Sequence, residues 1–379
     1  MKYGFPISRK VASLSAMTMR KSLAAGLFLA MITMGAGLMM APANSEAQAA
    51  AGSDVGPQTN STVNDADGTA HITRVVPLPS QLSPEAQASL RNNYPDKTQT
   101  LEERRSGTDT WQTGAGIKSR GVYPVEIKDA VIAGVPVRDV RPVAGTEIHA
   151  DRVLINIHGG GFNSDSGSFT ESIPIANLTH TRVVAVLYRL APEHPYPAAL
   201  DDVIAVYREL LKTYKPEHIG IYGTSAGAIL TVEVAVRLRQ LGVPLPAALG
   251  VFSGTGNLSQ PGDSEALFAL RGVIGSPSIP TAKSHNSEYL GTHDPQDPVV
   301  SPVFADLHGM PPTLFLTSER DMLLSSTTIL HRAFLRSGVD ARLVVFEGLP
   351  HAFWNDVNLP ESREAYRYIA EFFSKETAR

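Results

Sequence analysis

The spacing of apolar and polar positions divides the chain into distinct regimes. An uncharged apolar run spans residues 23–40 and follows directly on Lys21. Residues 50–80 are Ala, Gly, Ser, Asn, Asp, Thr and Pro with almost no large apolar side chain, so this stretch has nothing from which to build a core and is expected to be a disordered polar tether. Ser83-Pro84-Glu85-Ala86 then opens a helix, with serine as N-cap and proline at the first helical position, and leads into a polar stretch through Trp111 and Ile117. Two β-rich runs follow at 122–127 and 131–140, separated by Lys128-Asp129 and interrupted at Ala133-Gly134, and they predict short antiparallel strands.

From residue 153 onward the pattern changes. The runs 153–157, 183–187, 219–222, 248–252, 312–316 and 342–346 are short and almost continuously apolar, which suits strands buried on both faces of a parallel sheet. Helical stripes lie between them. In 200–214 the residues Val203, Val206, Tyr207, Leu210 and Leu211 share one face, and 226–241, 327–337 and 361–373 behave similarly. Strands alternating with helices predict an α/β fold, a mostly parallel central sheet with helices on both sides. Residues 255–311 are too long for a plain crossover, so they are expected to be an insertion that, with 81–120, forms a small helical cap over the sheet edge where ligands bind.

Composition narrows the chemistry. The chain has 379 residues, 43% of them hydrophobic, enough for a sizeable core. Its 33 Lys+Arg against 37 Asp+Glu lack the basic excess that a phosphate backbone requires, which argues against nucleic acid as a partner. The absence of cysteine excludes a disulfide framework, thiol catalysis and thiolate zinc sites, so any nucleophile is an oxygen or an imidazole. Five of the bases (Lys2, Arg9, Lys10, Arg20, Lys21) and one acid, Glu46, flank the 23–40 run, the layout of a secretory signal. Ala47-Gln48-Ala49 is the preferred cleavage site and Ala41-Pro42-Ala43 a second; Met17 or Met19 are alternative starts. The expected organisation is a signal peptide at 1–49, the tether at 50–80 and a single domain at 81–379, of which 81–120 is the cap segment. The product is exported to the periplasm or medium, with an N-terminally membrane-anchored form as the alternative.

The motif Gly223-Thr224-Ser225-Ala226-Gly227 lies between the 219–222 strand and the helix starting near Ala226. A serine at such a turn sits in strained backbone with its hydroxyl projected outward, and flanking glycines permit the close approach a side chain would block. Serine needs a base and a group to orient that base. His351, in the loop after the last predicted strand, and Asp321, directly after the preceding strand, supply both types at strand ends. His158-Gly159-Gly160-Gly161-Phe162 follows the 153–157 strand, and its bare amides can converge with that of Ala226 on an oxyanion. The Gly-Lys-Ser/Thr of a phosphate loop does not follow, and no G-x-G-x-x-G with a later acid is present. His158 is expected to hold this loop rather than to act as a second base.

With these residues in place, the sequence resembles the hormone-sensitive-lipase-like family of α/β-hydrolases, the bacterial carboxylesterase branch with a His-Gly-Gly-Gly loop, in its Gly-Thr-Ser-Ala-Gly subgroup. The resemblance covers roughly residues 120–375. It includes the run Tyr188-Arg189-Leu190-Ala191-Pro192-Glu193, the segment Asp297-Pro298-Val299-Val300-Ser301-Pro302 and the Ser…Asp…His chain order. It implies Ser225, Asp321 and His351 as catalytic residues and Gly159, Gly160 and Ala226 as the oxyanion hole. It also implies a cofactor-free esterase with no bound metal, an N-terminal cap and a preference for short to medium acyl chains. Departures are Ala228, where many members have glycine, and the polar run Asn163-Ser164-Asp165-Ser166-Gly167-Ser168, which is expected to alter the alcohol side of the pocket. Phe162, Tyr188 and Phe353, with Phe268 and Tyr289, are candidates to line it.

The function expected is hydrolysis of a small-molecule carboxylic ester through an acyl-enzyme. Lactone or amide hydrolysis by the same triad is the alternative, and a non-catalytic ligand-binding relative a more distant one. A lipase acting on emulsified long chains is not expected, because no lipid-anchoring stripe remains after the signal is cleaved. Oligomeric state has no signal in the sequence.

Overall fold

Extended to their observed limits, the apolar runs make the parallel part of one sheet. In the computed structural model, which describes residues 60–92, 99–275, 277 and 287–378, they become β5 (Val153–Ile157), β6 (Arg182–Val186), β7 (Ile219–Thr224), β8 (Ala248–Phe252), β9 (Thr313–Arg320) and β10 (Ala341–Pro350). The antiparallel hairpin β3 (Val125–Ile132) and β4 (Val135–Pro142) completes, among the described residues, an eight-stranded sheet ordered β10-β9-β8-β7-β5-β6-β4-β3. The expected strand limits at 122–127 and 131–140 shift. The ladder runs unbroken through Lys128↔Asp139 and Asp129↔Arg138, and the turn is Ala133-Gly134, both at positive φ as a two-residue hairpin loop requires. Charged residues are tolerated inside these strands because one face of the hairpin is open to solvent.

Alternation along the buried strands separates two apolar layers. Val153, Ile155 and Ile157 face α4 (Ala198–Leu210), α5 (Ala226–Gln240) and α8 (Leu324–Arg336), while Leu154 faces α3 (Ser172–Thr179) and α9 (Pro360–Glu376). Four of these helices lie where the apolar stripes predict them. The exception is α3, which is buried nearly all round and therefore shows no stripe to read.

The N-terminal part departs from expectation. Residues 61–64 (β1, Ser61–Asn64) and 70–73 (β2, Ala70–Thr73) pair as a small antiparallel hairpin within the stretch expected to be disordered, although every residue in it is exposed. Asp65 closes the turn by accepting from the Gly68 amide and donating its own to Thr69, and Arg74 bonds back to Ser61 O at 2.5 Å, so polar hydrogen bonds replace a core. The described chain from Ser61 onward belongs to one compact unit. The signal at 1–49 and the tether up to residue 59 lie outside the described residues.

The helix α1 (Pro84–Arg91) has the predicted Ser83 cap, with Ser83 also tied to Glu361 of α9. The polar stretch after it is a helix of 22 residues, α2 (Leu101–Val122), started by a reciprocal Thr100/Glu103 capping box. Among the described residues of the 255–311 insertion, α6 (Asp263–Leu267) and α7 (Ser287–Leu290) are α-helical; Leu258, Tyr289, Val300 and Leu307 join the core, while Leu270 stays exposed. Among the described residues no helix is long and apolar enough to cross a membrane.

Two of the buried carboxyls, Glu233 and Glu171, are raised well above their ordinary value. Burial pushes Glu233 of α5 up to about 8, offset in part by the hydrogen bond from Tyr289 Oη at 2.5 Å, and burial raises Glu171 to about 8 against a bond from Asn156. In the unfolded chain these groups return to the ordinary value of 4.5. Their contribution to stability is therefore complete below about 4.5 and is lost as the pH rises through about 8. Glu233→Gln keeps the neutral shape. Its thermal midpoint relative to the parent is expected to rise progressively between pH 5 and pH 8; a difference that stays constant across that window would contradict a neutral Glu233.

Candidate active site

The strand β7 ends at Thr224, and Ser225 occupies φ 56, ψ −119 before α5 begins at Ala226. Such a conformation costs about 1–3 kcal/mol and persists only where the surroundings enforce it. Here Ser225 N donates to Phe252 O of β8 at 2.9 Å. A Cβ on Gly223 would lie 2.4 Å, and one on Gly227 1.9 Å, from Ile157 O, so both glycines are required for β5 and α5 to meet the turn.

Asp321 follows β9 and is fully buried. Its Oδ1 accepts from His351 Nδ1 at 2.7 Å and the Leu323 amide at 2.8 Å, and its Oδ2 from Thr317 Oγ1 at 2.8 Å and from Ser253 Oγ. Burial alone would push this carboxyl up. The His351 ring beside it and the bonds from His351, Ser253 and Leu323 outweigh it, and the group is held below its ordinary range. Because Nδ1 of His351 faces a carboxylate, it carries the proton, and Nε2 is left as the acceptor. The ring follows the end of β10, where Pro350 pairs with Arg320 past a register irregularity, and Ser318 Oγ bonds Leu349 O at 2.7 Å.

Ser225 and His351 open on one cleft of about 890 Å3. Ser225 Oγ has no hydrogen-bond partner among the described residues; contacts of this kind commonly close only when substrate is in place.

The glycine loop assigns its amides differently from expectation. Gly159 N donates to Ser166 O at 3.0 Å in a small bridge, so the expected Gly159 amide is already committed. Gly160 and Gly161, both at positive φ, and Ala226 at the first position of α5 line the cleft with amides that have no partner among the described residues. A Cβ at Gly160 would lie 2.1 Å from Ser164 O, which explains why glycine is needed at the tightest point.

The candidate pocket aromatics separate. Phe353 lines the cleft. Phe162 and Tyr188 do not: Phe162 is buried and stacked 3.6 Å from the Tyr289 ring, and Tyr188 is stacked on His158 with its hydroxyl on His158 O at 2.9 Å. They hold the loop from beneath. His158 is likewise buried, with Nδ1 donating to Gly159 O at 2.7 Å, a structural role. Sequence reasoning passed over Arg104, Thr108 and Trp111, which share one face of α2 and form a wall of the cleft, and Leu270 and Ile274 of the insertion opposite. The helical spacing 104, 108, 111 was the signal for the first three. Among the described residues no group of three His, Asp or Glu side chains is placed to hold a metal ion.

A family profile described as the alpha/beta hydrolase fold matches residues 154–355. An acetyl-hydrolase of Streptomyces hygroscopicus is 31% identical over 294 residues, covering 75% of this chain and 93% of that protein. An esterase of Acinetobacter venetianus is 33% identical over 261 residues, 65% of this chain and 82% of its own length. The crystal structure of an esterase from the bacterial hormone-sensitive lipase family superposes with a TM-score of 0.68 at 32% identity, over 78% of this chain and 99% of that one.

Proposed function

Because the chain belongs to the α/β-hydrolase family, among the bacterial hormone-sensitive-lipase-like esterases, we propose that it hydrolyses small carboxylic esters through an acyl-enzyme on Ser225. The observation that carries this reading is the 2.7 Å bond to a fully buried, ionised Asp321 from His351, which lines the same cleft as the strained Ser225. In this mechanism His351 Nε2 takes the Ser225 proton as Oγ attacks the ester carbonyl. Asp321 holds the ring and stabilises its charged form, and the amides of Gly160, Gly161 and Ala226 receive the tetrahedral oxyanion. The imidazolium returns the proton to the leaving alcohol, and water then repeats the sequence on the acyl-enzyme.

The names of the relatives, an acetyl-hydrolase and an esterase, support short acyl groups as substrates. The subgroup assignment rests on Gly223-Thr224-Ser225-Ala226-Gly227. Export is proposed on the N-terminal pattern. Removing residues 1–49, with five bases and one acid, leaves 28 Lys+Arg against 36 Asp+Glu.

Two measurements test the reading together. Fluorophosphonate is expected to label Ser225 stoichiometrically, and p-nitrophenyl acetate and butyrate to be hydrolysed faster than matched anilides and γ- or δ-lactones. Labelling with faster lactone or anilide turnover would move the substrate class while keeping the nucleophile, and no labelling would favour a non-catalytic relative.

A further inference from the structure

The helix α2 meets the glycine loop with a polar face. Its buried residues are Gln112, Gly116 and Ser119, none of them a large apolar side chain. Gln112 Oε1 accepts from the amides of Gly167 at 3.0 Å and Phe169 at 3.4 Å and lies 3.2 Å from Ser168 Oγ, which is itself closer, at 2.6 Å, to Asp165 Oδ2. Seven residues earlier on the same side, Arg105 donates to Asn163 O at 2.6 Å and to Ala191 O at 2.9 Å, and forks onto Glu193. Gly116 lets the helix approach Phe169: a Cβ there would lie 3.0 Å from the Phe169 Cβ. Within the loop, Asn163 N, Ser164 N and Ser164 Oγ all converge on Gly160 O. The segment that orients Gly160 and Gly161 is thus the one gripped by α2 at both ends.

We propose that Gln112, together with Arg105, is a positioning residue for the oxyanion-binding amides, holding residues 163–169 so that the Gly160 and Gly161 N–H groups stay aimed at the carbonyl attacked by Ser225. The proposal rests on the reading of those amides as the oxyanion hole. Fixed donors lower a barrier only in so far as they are already oriented when charge develops, and they contribute little to ground-state binding. Without Gln112 the buried amide of Gly167 and the partly buried amide of Phe169 lose their acceptor, and the loop must reorganise to satisfy them.

The test uses the full-length protein with p-nitrophenyl butyrate, rates being normalised to sites titrated by fluorophosphonate. Gln112→Leu is expected to lower kcat by about 10- to 100-fold while KM stays within about threefold. The Ki of a short-chain trifluoromethyl ketone, whose adduct mimics the oxyanion, should rise by the same factor as kcat falls. Arg105→Gln, at the partly exposed end of the grip, should show the same signature more weakly and decides the matter if Gln112→Leu does not fold. Unchanged kcat per titrated site in both variants, a change confined to KM, or an inhibitor Ki that does not follow kcat overturns the proposal. A parent protein inactive on every ester would instead overturn the esterase reading beneath it.

Discussion

Ser225→Ala is expected to lower kcat for p-nitrophenyl butyrate by about 10,000- to 1,000,000-fold without altering the fold. Three features of the site make the substitution unusually clean. The strain at φ 56 is carried by the backbone, and alanine meets it as serine does. The Ser225 hydroxyl bonds to no described residue, so its removal breaks no structural contact. The amide of Ser225, which anchors the turn to Phe252 O, is untouched. The residual rate should be what the amides and binding provide alone. The check is kcat alongside the thermal midpoint: a variant within tenfold of the parent would remove Ser225 as nucleophile, and a large fall in the midpoint would show that the loss is not chemical.

Asp321→Ala is expected to cost about 10,000-fold in kcat, with Asp321→Asn falling between it and the parent. The ordering follows from which atoms surround each oxygen. Oδ1 faces two N–H donors, from His351 and the Leu323 backbone, and the backbone one cannot turn away. Oδ2 faces the hydroxyls of Thr317 and Ser253, which can rotate to accept instead of donate. An asparagine therefore settles with its oxygen at the Oδ1 position and its amide group toward the hydroxyls. That keeps the proton on His351 Nδ1 and removes only the negative charge opposite the imidazolium. Alanine removes both. Steady-state kinetics on the two variants check the order; an asparagine variant as slow as the alanine one would mean that the amide had turned its nitrogen toward the ring.

Much of this was legible before the structure. The parallel strands declare themselves because burial on both faces leaves no polar alternation, and the three residues proposed for catalysis fall at the ends of β7, β9 and β10, where chain order alone places them. What escaped reading escaped for physical reasons. The helix α2 packs through Gln112, Gly116 and Arg105, so no apolar stripe marks it. The donor at Gly159 was misassigned because a run of three equivalent glycines does not reveal that the first spends its N–H on Ser166. Phe162 and Tyr188 sit in the right segments but point into the core, since aromatic identity carries no information about which side of a loop the ring takes. The hairpin at 61–73 is held by Asp65 and Arg74, polar contacts that a search for apolar content passes over.

The two sides of α2 divide its labour. Arg104, Thr108 and Trp111 line the cleft, whereas Arg105 and Gln112 hold the protein's own loops, at 163–169 and at Ala191 and Glu193. Selection for a new ester can thus work on the first set without disturbing the second. A library randomised at 104, 108 and 111 would vary the lining of the cleft while leaving unchanged the contacts of Arg105 and Gln112 for which a positioning role is proposed.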